Sequence, residues 1–359
     1  MKITKKIAVL AGDGIGPEVM QQALRVLEAV AVKYGHTFEF NQALIGGAAF
    51  DVYNDHCPQE TLKIAESSDA VLFGAVGGPQ NSKEDKWKDC EVNSILALRK
   101  HFSFNCNLRP AKVYPQLKNI CPLKEHIAAG TDLLIVRELL GDIYFGEHSQ
   151  SRINGKRTAR DVAEYNEDQI ASVAKFAFEA ALKRRSKVTS VDKANVLATS
   201  KLWREVVREV QQDYLQVELD DMLVDNCAMQ IVRHPSNFDV ILTANLFGDI
   251  LSDIAALLPG SLGLTPSASI SSSGFGLYEP SGGSAPDIAG RGTANPVAQI
   301  LCASMMLKYS FGLLKESLSI ERAVELTFEA GYRTGDIAEP ETVVLSTKDL
   351  TDKILQNLN

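Results

Sequence analysis

The chain has 359 residues, 45% hydrophobic and 23% charged, with a net charge of −8 and a pI of about 5.4. That length holds two domains or one large α/β unit, and the balance is that of an ordinary soluble globular protein. The acidic sign argues against a nucleic-acid partner or an anionic membrane surface, although a local arginine cluster still permits an anionic ligand.

Lys6–Ala11 reads as a first strand, too short to be the apolar core of a signal peptide. Nothing approaches the ~20 apolar residues of a membrane span. The six cysteines (57, 90, 106, 121, 227 and 302) include no Cys-x-x-Cys pair. Reduced thiols in a cytoplasmic protein are therefore expected. The six histidines show no metal-ligand spacing. Gly12-Asp13-Gly14-Ile15-Gly16-Pro17-Glu18 follows the strand. Its third glycine arrives one residue early for a dinucleotide fingerprint, and no acidic residue closes a second strand about 20 residues on. A tight strand-to-helix turn is the better reading. Pro17–Tyr34 is expected as one helix, with proline in its first turn and Gly35 at its end.

His36–Ala43 and Ala70–Gly74 are strand candidates, Gly77–Asp89 a polar loop and Glu91–Lys100 a short helix. Asn107-Leu108-Arg109-Pro110 precedes the strand Asp132–Glu138. Arg99, Arg109 and Arg137 each stand at a segment end. One such arginine is ordinarily a surface ion pair, but several suit a carboxylate or phosphate clamp, since guanidinium donates in pairs. Ile143–Gly146 is a strand or turn in which Tyr144 serves equally as a packed aromatic. Ser151–Glu164 is polar, with Gly155 at a hairpin turn, and suits an interaction arm. Asn166–Lys183 is a helix opened by Asn166 and Gln169 as a capping box.

Lys187–Val191 is a strand ending in Asp192-Lys193-Ala194-Asn195, where Lys193 is either solvent-facing or a base. Leu202–Val210 and Cys227–Arg233 are helices. Asp225 precedes the second as a cap or a metal ligand. Asp239–Thr243 reads as a buried strand leading through Gly248-Asp249-Ile250-Leu251-Ser252-Asp253 into helix. Asp249 and Asp253, four apart, share a helix face. They are a cap and a solvated carboxylate, or a site for Mg²⁺ or Mn²⁺, which prefer such oxygens. Pro259–Gly283 is Gly- and Ser-rich and reads as loop or short strand. Small residues in Gly282–Gly290 let backbone amides approach a phosphate, and an acidic side chain there suits the ribose hydroxyls of NAD. Asn295-Pro296 opens a helix to about Lys315, and Ile320–Ala330 and Thr347–Leu355 close the chain as helices. Strands alternate with helices, so the class is α/β.

Taken in order, several motifs resemble one family, the β-decarboxylating dehydrogenases that act on isopropylmalate, isocitrate, homoisocitrate and D-malate or tartrate. They are Gly12–Glu18, Leu98-Arg99, Asn107–Pro110, Val136–Glu138, Tyr144–Gly146, Asp192–Asn195, Asp225-Asn226, Asn245–Asp253 and Gly283–Gly290. The resemblance covers essentially the whole chain. It implies that family's two-domain α/β fold, not a Rossmann fold. The NAD-binding domain would comprise residues 1–104 and 260–359. The second, 105–259, would carry the dimer interface and an arm near 151–164, with the active site in the cleft between domains. A homodimer would contribute Lys193 and Asp225 across its interface. No nucleic-acid or membrane partner is expected.

The resemblance also implies roles. Arg99, Arg109 and Arg137 would hold the carboxylates of a small 2-hydroxy acid. Asp249, Asp253 and the other subunit's Asp225 would bind one Mg²⁺ or Mn²⁺ beside the 2-hydroxyl, lowering its pKa. Lys193 would accept the hydroxyl proton, C2 would give hydride to NAD⁺, and Tyr144 would protonate the enol left by CO₂ loss. Isocitrate-specific relatives carry Ser six residues before the arginine and Asn four before it; here those positions are Asn93 and Ile95. An apolar Ile95/Leu96 wall suits an isopropyl group and leaves a third carboxylate unpaired. Glu91 matches an acid placed near substrate and nicotinamide. The expected substrate is therefore a malate carrying isopropyl on C3, a step of leucine biosynthesis. A D-malate or tartrate enzyme would share the catalytic residues, and a non-catalytic regulatory member would lack some that are present here. Gly283, Ser284, Ala285, Pro286, Asp287, Ile288 and Asn295 would hold the cofactor. Asp287 and Ile288 stand where NADP-using relatives accommodate the 2′-phosphate, so NAD is expected. Two departures are Gly282 in place of a frequent histidine and Asp142 in place of a frequent glycine.

Overall fold

The computed structural model describes residues 2–358. Its main strands are β1 (Thr4–Gly12), β2 (Thr37–Gln42), β3 (Ala70–Ala75), β4 (Phe104–Lys112), β5 (Asp132–Glu138), β6 (His148–Ile153), β7 (Lys156–Asp161), β8 (Lys187–Asp192), β9 (Glu218–Leu223), β10 (Val240–Thr243), β11 (Pro266–Ser271) and β12 (Gly276–Pro280). The chain divides into two compact units. One comprises the residues up to Ser103 and those from Pro259 onward, the other Phe104–Leu258. No helix of the described residues is long and apolar enough to cross a membrane.

In the first unit the strand order is β2-β1-β3-β12-β11. All neighbours run parallel except the β11–β12 pair. Every residue of β3 is buried, as a continuous apolar run in a parallel interior requires. The helix Gly16–Tyr34 buries Val19, Met20, Ala23, Val26, Leu27 and Val30, the three-to-four spacing of a core-facing stripe. Gly35 ends it at φ 73°, the left-handed turn for which glycine has no steric penalty. The helix Val297–Tyr309 is buried on all sides from Val297 to Leu307 and forms the core of this unit.

In the second unit the order is β4-β5-β10-β8-β9, with β4 antiparallel to β5 and the rest parallel. Thr243 pairs with Arg137 on one side and Val191 on the other, so three parallel strands end at one level. Open α/β sheets bind ligands at such carboxyl ends. The helix Glu167–Leu182 carries the capping box of Asn166 and Gln169. The β6–β7 hairpin is exposed throughout, turning on Asn154 and Gly155, both at positive φ.

Several elements differ from the sequence reading. The helix after β10 begins at Asn245, well before Ile254, and Gly248 lies inside it. A Cβ there would fall 2.6 Å from Cγ of Arg137, so this glycine serves packing rather than termination. Pro259–Gly283, by contrast, reads as loop or short strand and does contain two short strands, β11 and β12. All six residues of β11 are buried, and its small side chains give no alternation to read. The segment near Glu91 opens with a wide π-type turn, Val92–Leu96, before the helix Ala97–His101. The helix expected to reach Lys315 stops at Tyr309, and a second spans Leu314–Glu329, with Gly312 at φ 67° between them.

Candidate functional site

The second unit gathers charged groups where its parallel strands end. Arg137 is the last residue but one of β5 and has a buried side chain. Its Nε donates to Asn245 Oδ1 at 3.0 Å and its Nη1 to Asp249 Oδ1. The Tyr144 hydroxyl donates to the other Asp249 oxygen at 3.0 Å, and the guanidinium carbon lies 5.9 Å from the Tyr144 ring centroid. Asp249 thus ties an arginine and a phenol together. Partial burial, then the bond to Asp249, raises the Tyr144 pKa. The phenol therefore keeps its proton at neutral pH and can act as a donor.

Asp253 follows one turn later with a side chain 77% exposed, 3.8 Å from Nη1 of Arg109. Arg109 Nε donates to Asn107 Oδ1 at 3.0 Å. Lys193 pairs with Asp225, which lies in the first turn of the helix Val224–Arg233. The lysine holds the Asp225 carboxyl below the usual range. Asp192 is buried and accepts both Arg204 Nε and Nη2 at 2.8 Å and the Ala194 amide at 2.9 Å, which fixes the turn that presents Lys193. Among the described residues, no three His, Cys, Asp or Glu side chains converge as a metal group. Asp249 and Asp225 instead sit in separate ion pairs, so one chain does not assemble the three expected ligands. All three are carboxylates with accessible surface, the donor type that suits Mg²⁺ or Mn²⁺.

Behind this layer lies a network that sequence reasoning missed. Glu138 is fully buried and accepts the Leu140 and Gly141 amides at 2.6 and 2.9 Å and the Tyr165 hydroxyl at 3.0 Å. Burial raises its pKa. Tyr165 in turn accepts the Asn245 amide at 2.9 Å. Asp142 sits at φ 72° and accepts the Ile143 amide with one oxygen and the Leu246 amide with the other, at 2.8 and 3.0 Å. Ala244 precedes the helix Asn245–Ala256 without a capping side chain, so Tyr165 and Asp142 satisfy its first donors from outside. The left-handed backbone explains why glycine also suits position 142. The one local signal was a glutamate ending an apolar strand.

In the first unit, Arg99 Nη2 donates to Glu279 at 2.7 Å. Ile95 is buried whereas Leu96, the next residue of the π-type turn, is 44% exposed. Glu91 is exposed. A cavity of about 440 Å³ is lined by Ile15, Leu262, Gly283, Ala285, Ile288, Asn295 and Asp336, among others. Of the residues expected at the cofactor, Ser284, Pro286, Asp287 and Glu91 are not on its wall. Ser284 is buried, and its carbonyl accepts the Ile15 amide at 2.8 Å. A Cβ on Gly14 would lie 2.0 Å from that carbonyl oxygen. Asp13 accepts the amides of Gly47, Ala48 and Gly77 at 2.8, 2.8 and 3.0 Å. The Gly-Asp-Gly-Ile-Gly turn is thus a brace for the loop of Ser284. Asp336, which sequence reasoning overlooked, is the carboxylate on the cavity wall, bonded to Asn295 Nδ2 at 3.1 Å and to the Ser261 and Thr334 hydroxyls. Gln299, fully buried on the same wall, has an Oε1 without a hydrogen-bond partner. An apolar cavity with a few polar groups suits a nucleotide. A wider cleft of about 1100 Å³, lined by Asp55, Lys88, Asp89 and Lys100 among others, gathers none of the expected site residues.

Comparison with known proteins gives a consistent picture. The profile described as isocitrate/isopropylmalate dehydrogenase matches residues 6–354. A 3-isopropylmalate dehydrogenase of Aquifex aeolicus is 53% identical over 356 residues, 98% of this chain and 97% of its own. One of Haemophilus influenzae is 51% identical over 352 residues, 98% of each chain. The crystal structure of an isocitrate dehydrogenase from Methylococcus capsulatus matches with a TM-score of 0.84 at 34% identity, over 99% of both chains. With a profile spanning nearly every residue and relatives above half identity, the chain belongs to the isocitrate/isopropylmalate dehydrogenase family.

Proposed function

We propose that the protein catalyses the NAD-dependent oxidative decarboxylation of (2R,3S)-3-isopropylmalate to 4-methyl-2-oxopentanoate and CO₂, a step of leucine biosynthesis. The observation that carries this reading is Asp249 bonded at once to Arg137 and Tyr144, in a chain half identical to 3-isopropylmalate dehydrogenases.

Arg99, Arg109 and Arg137 donate to the two substrate carboxylates, which suit guanidinium forks. The partner subunit's Lys193, oriented by its own Asp225, takes the proton of the 2-hydroxyl. Tyr144 gives its proton to the carbon that loses CO₂, a role its raised pKa fits. Ile95 contributes apolar surface for the isopropyl group, with Leu96 and Glu91 on the same segment. Asp249, Asp253 and the partner subunit's Asp225 would hold Mg²⁺ or Mn²⁺, which supplies Lewis acidity at the substrate oxygen. NAD⁺, accepting the hydride from C2, would lie along Gly283–Ile288 and Asn295. Carboxylates at Asp287 and Asp336 disfavour the extra phosphate of NADP.

A homodimer fits the surface of the second unit. The adjacent helices Val224–Arg233 and Asn245–Ala256 expose Met229, Val232 and Ile250, with Leu257 at the end of the second. Such an apolar patch is characteristic of an interface. These helices also carry Asp225, Asp249 and Asp253, so pairing them between copies would bring one copy's Asp225 to the other's pair. The six buried free thiols suit the reducing cytoplasm.

The test is NADH formation by the purified protein with Mg²⁺, comparing 3-isopropylmalate, D-malate and isocitrate. Preference for 3-isopropylmalate supports the reading. Preference for D-malate keeps the mechanism and overturns the substrate. No reaction with any of them, from a folded protein, overturns the activity.

A further inference from the structure

Arg137 does not reach its bonding partners as a free side chain; the first turn of the next helix shapes a seat for it. Arg137 and Thr243 are register partners at the ends of β5 and β10, so the helix that starts at Asn245 rises directly beside the arginine. Three residues of that turn touch it. Asn245 Oδ1 accepts Nε–H at 3.0 Å. Gly248 makes room for the stem, since a Cβ would lie 2.6 and 2.8 Å from Arg137 Cγ and Cβ. Asp249 accepts Nη1–H. Positions i, i+3 and i+4 share one helix face. Asn245 is itself fixed, with its Nδ2 donating to the Gly141 carbonyl at 3.2 Å and its amide to Tyr165 at 2.9 Å. Its amide orientation follows from chemistry, because Arg137 Nε only donates and a carbonyl only accepts. Both residues are buried, at 1% and 6% exposure.

We propose that Asn245 is a positioning residue for Arg137, fixing the plane of the guanidinium so that its outer N–H groups face Asp249 and a substrate carboxylate, with Gly248 as the floor of the seat. This rests on the reading of Arg137 as a carboxylate clamp. The guanidinium is a flat fork, and paired donation depends on the direction of its plane. The Nε bond holds that plane. Removing the acceptor strips a buried donor of this partner and frees rotation about the Nε end. A neutral amide suits the position better than a carboxylate. It satisfies both Nε–H and the Gly141 carbonyl without adding a second negative charge beside Asp249.

The test measures KM for 3-isopropylmalate and for NAD⁺, together with thermal midpoints, in Asn245→Ala, Asn245→Asp and wild type. Asn245→Ala is expected to raise the KM of the hydroxy acid on the order of tenfold, the scale of a charge-assisted bond, and to leave the NAD⁺ KM within about twofold. Asn245→Asp keeps the acceptor for Nε–H but loses the donor to the Gly141 carbonyl and adds charge beside Asp249, so its KM is expected to fall between those of Asn245→Ala and wild type. Equal weakening of both substrates, a fall in thermal midpoint alone, or an aspartate variant no better than alanine would each overturn the seat. Gly248→Ala approaches from the floor and is expected to give the same selective rise if Asn245→Ala does not fold. Exchange of the Arg137 Nε–H, read by NMR with labelled arginine, is independent of turnover. It is expected to be slow in wild type and fast in Asn245→Ala, and equal rates would overturn the seat. A wild type inert toward 3-isopropylmalate but showing this exchange difference would instead overturn the functional reading alone.

Discussion

The cavity beside Ser284 and the cluster around Asp249 are built by opposite means. One side of the cavity is made by backbone and by side chains that stay small: Gly283 and Ala285 at φ 39° on the wall, with Gly14 packed against the Ser284 carbonyl behind them. The cluster is made by side chains that reach one another: Arg137, Tyr144, Asn245 and Asp249. The first is therefore intolerant of added atoms and the second of lost ones. Close-packed walls resist even one extra carbon, whereas a charged network fails when a single partner is removed. A change in the cavity should alter cofactor binding, and a change in the cluster should alter chemistry.

Asp249→Asn would sharpen that division most. It keeps an acceptor for Arg137 and removes the charge a divalent cation needs. Turnover is expected to fall by at least about 10³-fold, the scale of lost Lewis-acid stabilisation. Thermal melting should change far less than NADH formation does. Turnover that persisted under stringent chelation would break the metal reading itself. Tyr144→Phe comes next, with kcat expected to drop ~10²-fold, as for loss of a general acid, and the NAD⁺ KM unmoved. Parallel shifts in NAD⁺ KM and kcat would mean that the two regions are not energetically separate. Gly14→Ala tests the cavity side. A Cβ 2.0 Å from the Ser284 oxygen, at φ 58°, must push the loop away. Overpacking of this kind costs about 1–3 kcal/mol, which would appear as a lower melting temperature and as a NAD⁺ KM higher by roughly tenfold. The KM of the hydroxy acid should stay put, and an equal rise in both would break the comparison.

What could be read in advance follows the range of the forces involved. The capping box of Asn166 and Gln169 and the buried strand Asp132–Glu138 are local signals, and both elements stand where they were expected. The start of the helix at Asn245 lies a turn before Asp249, the residue that reads as a cap in the sequence. The reason for glycine at 248 lies in Arg137, more than 100 residues earlier in the chain. β11 was legible only as loop or short strand, because Pro-Ser-Ala-Ser-Ile-Ser is buried on both faces and leaves no period. The residues proposed to react were singled out through family motifs rather than through pattern. The groups that hold them, Glu138, Tyr165 and Asn245, act through tertiary hydrogen bonds that no spacing announces. Asp336 escaped for the same reason, since only folding brings it to Asn295.

Asp142→Gly is the smallest expected effect, and it probes the edge of the cluster rather than its centre. The carboxylate accepts the Leu246 amide at the start of the helix that bears Asp249, and losing such a cap costs about 1 kcal/mol. Against this, Asp142 is held at φ 72°, where a side chain costs roughly 1–2 kcal/mol and glycine costs nothing sterically. The two contributions nearly cancel, so the thermal midpoint should move by only a few degrees, the scale of about 1 kcal/mol or less. Tyr144 remains tied to Asp249 through its own hydroxyl, so kcat should stay within about twofold, well below the response to losing a reacting group. Asp142→Ala separates the contributions, because it loses the cap and keeps the strain. It should melt below Asp142→Gly by roughly 1 kcal/mol, the usual cost of alanine where φ is positive. If the two variants melted together, backbone strain would not be what balances the cap at this position.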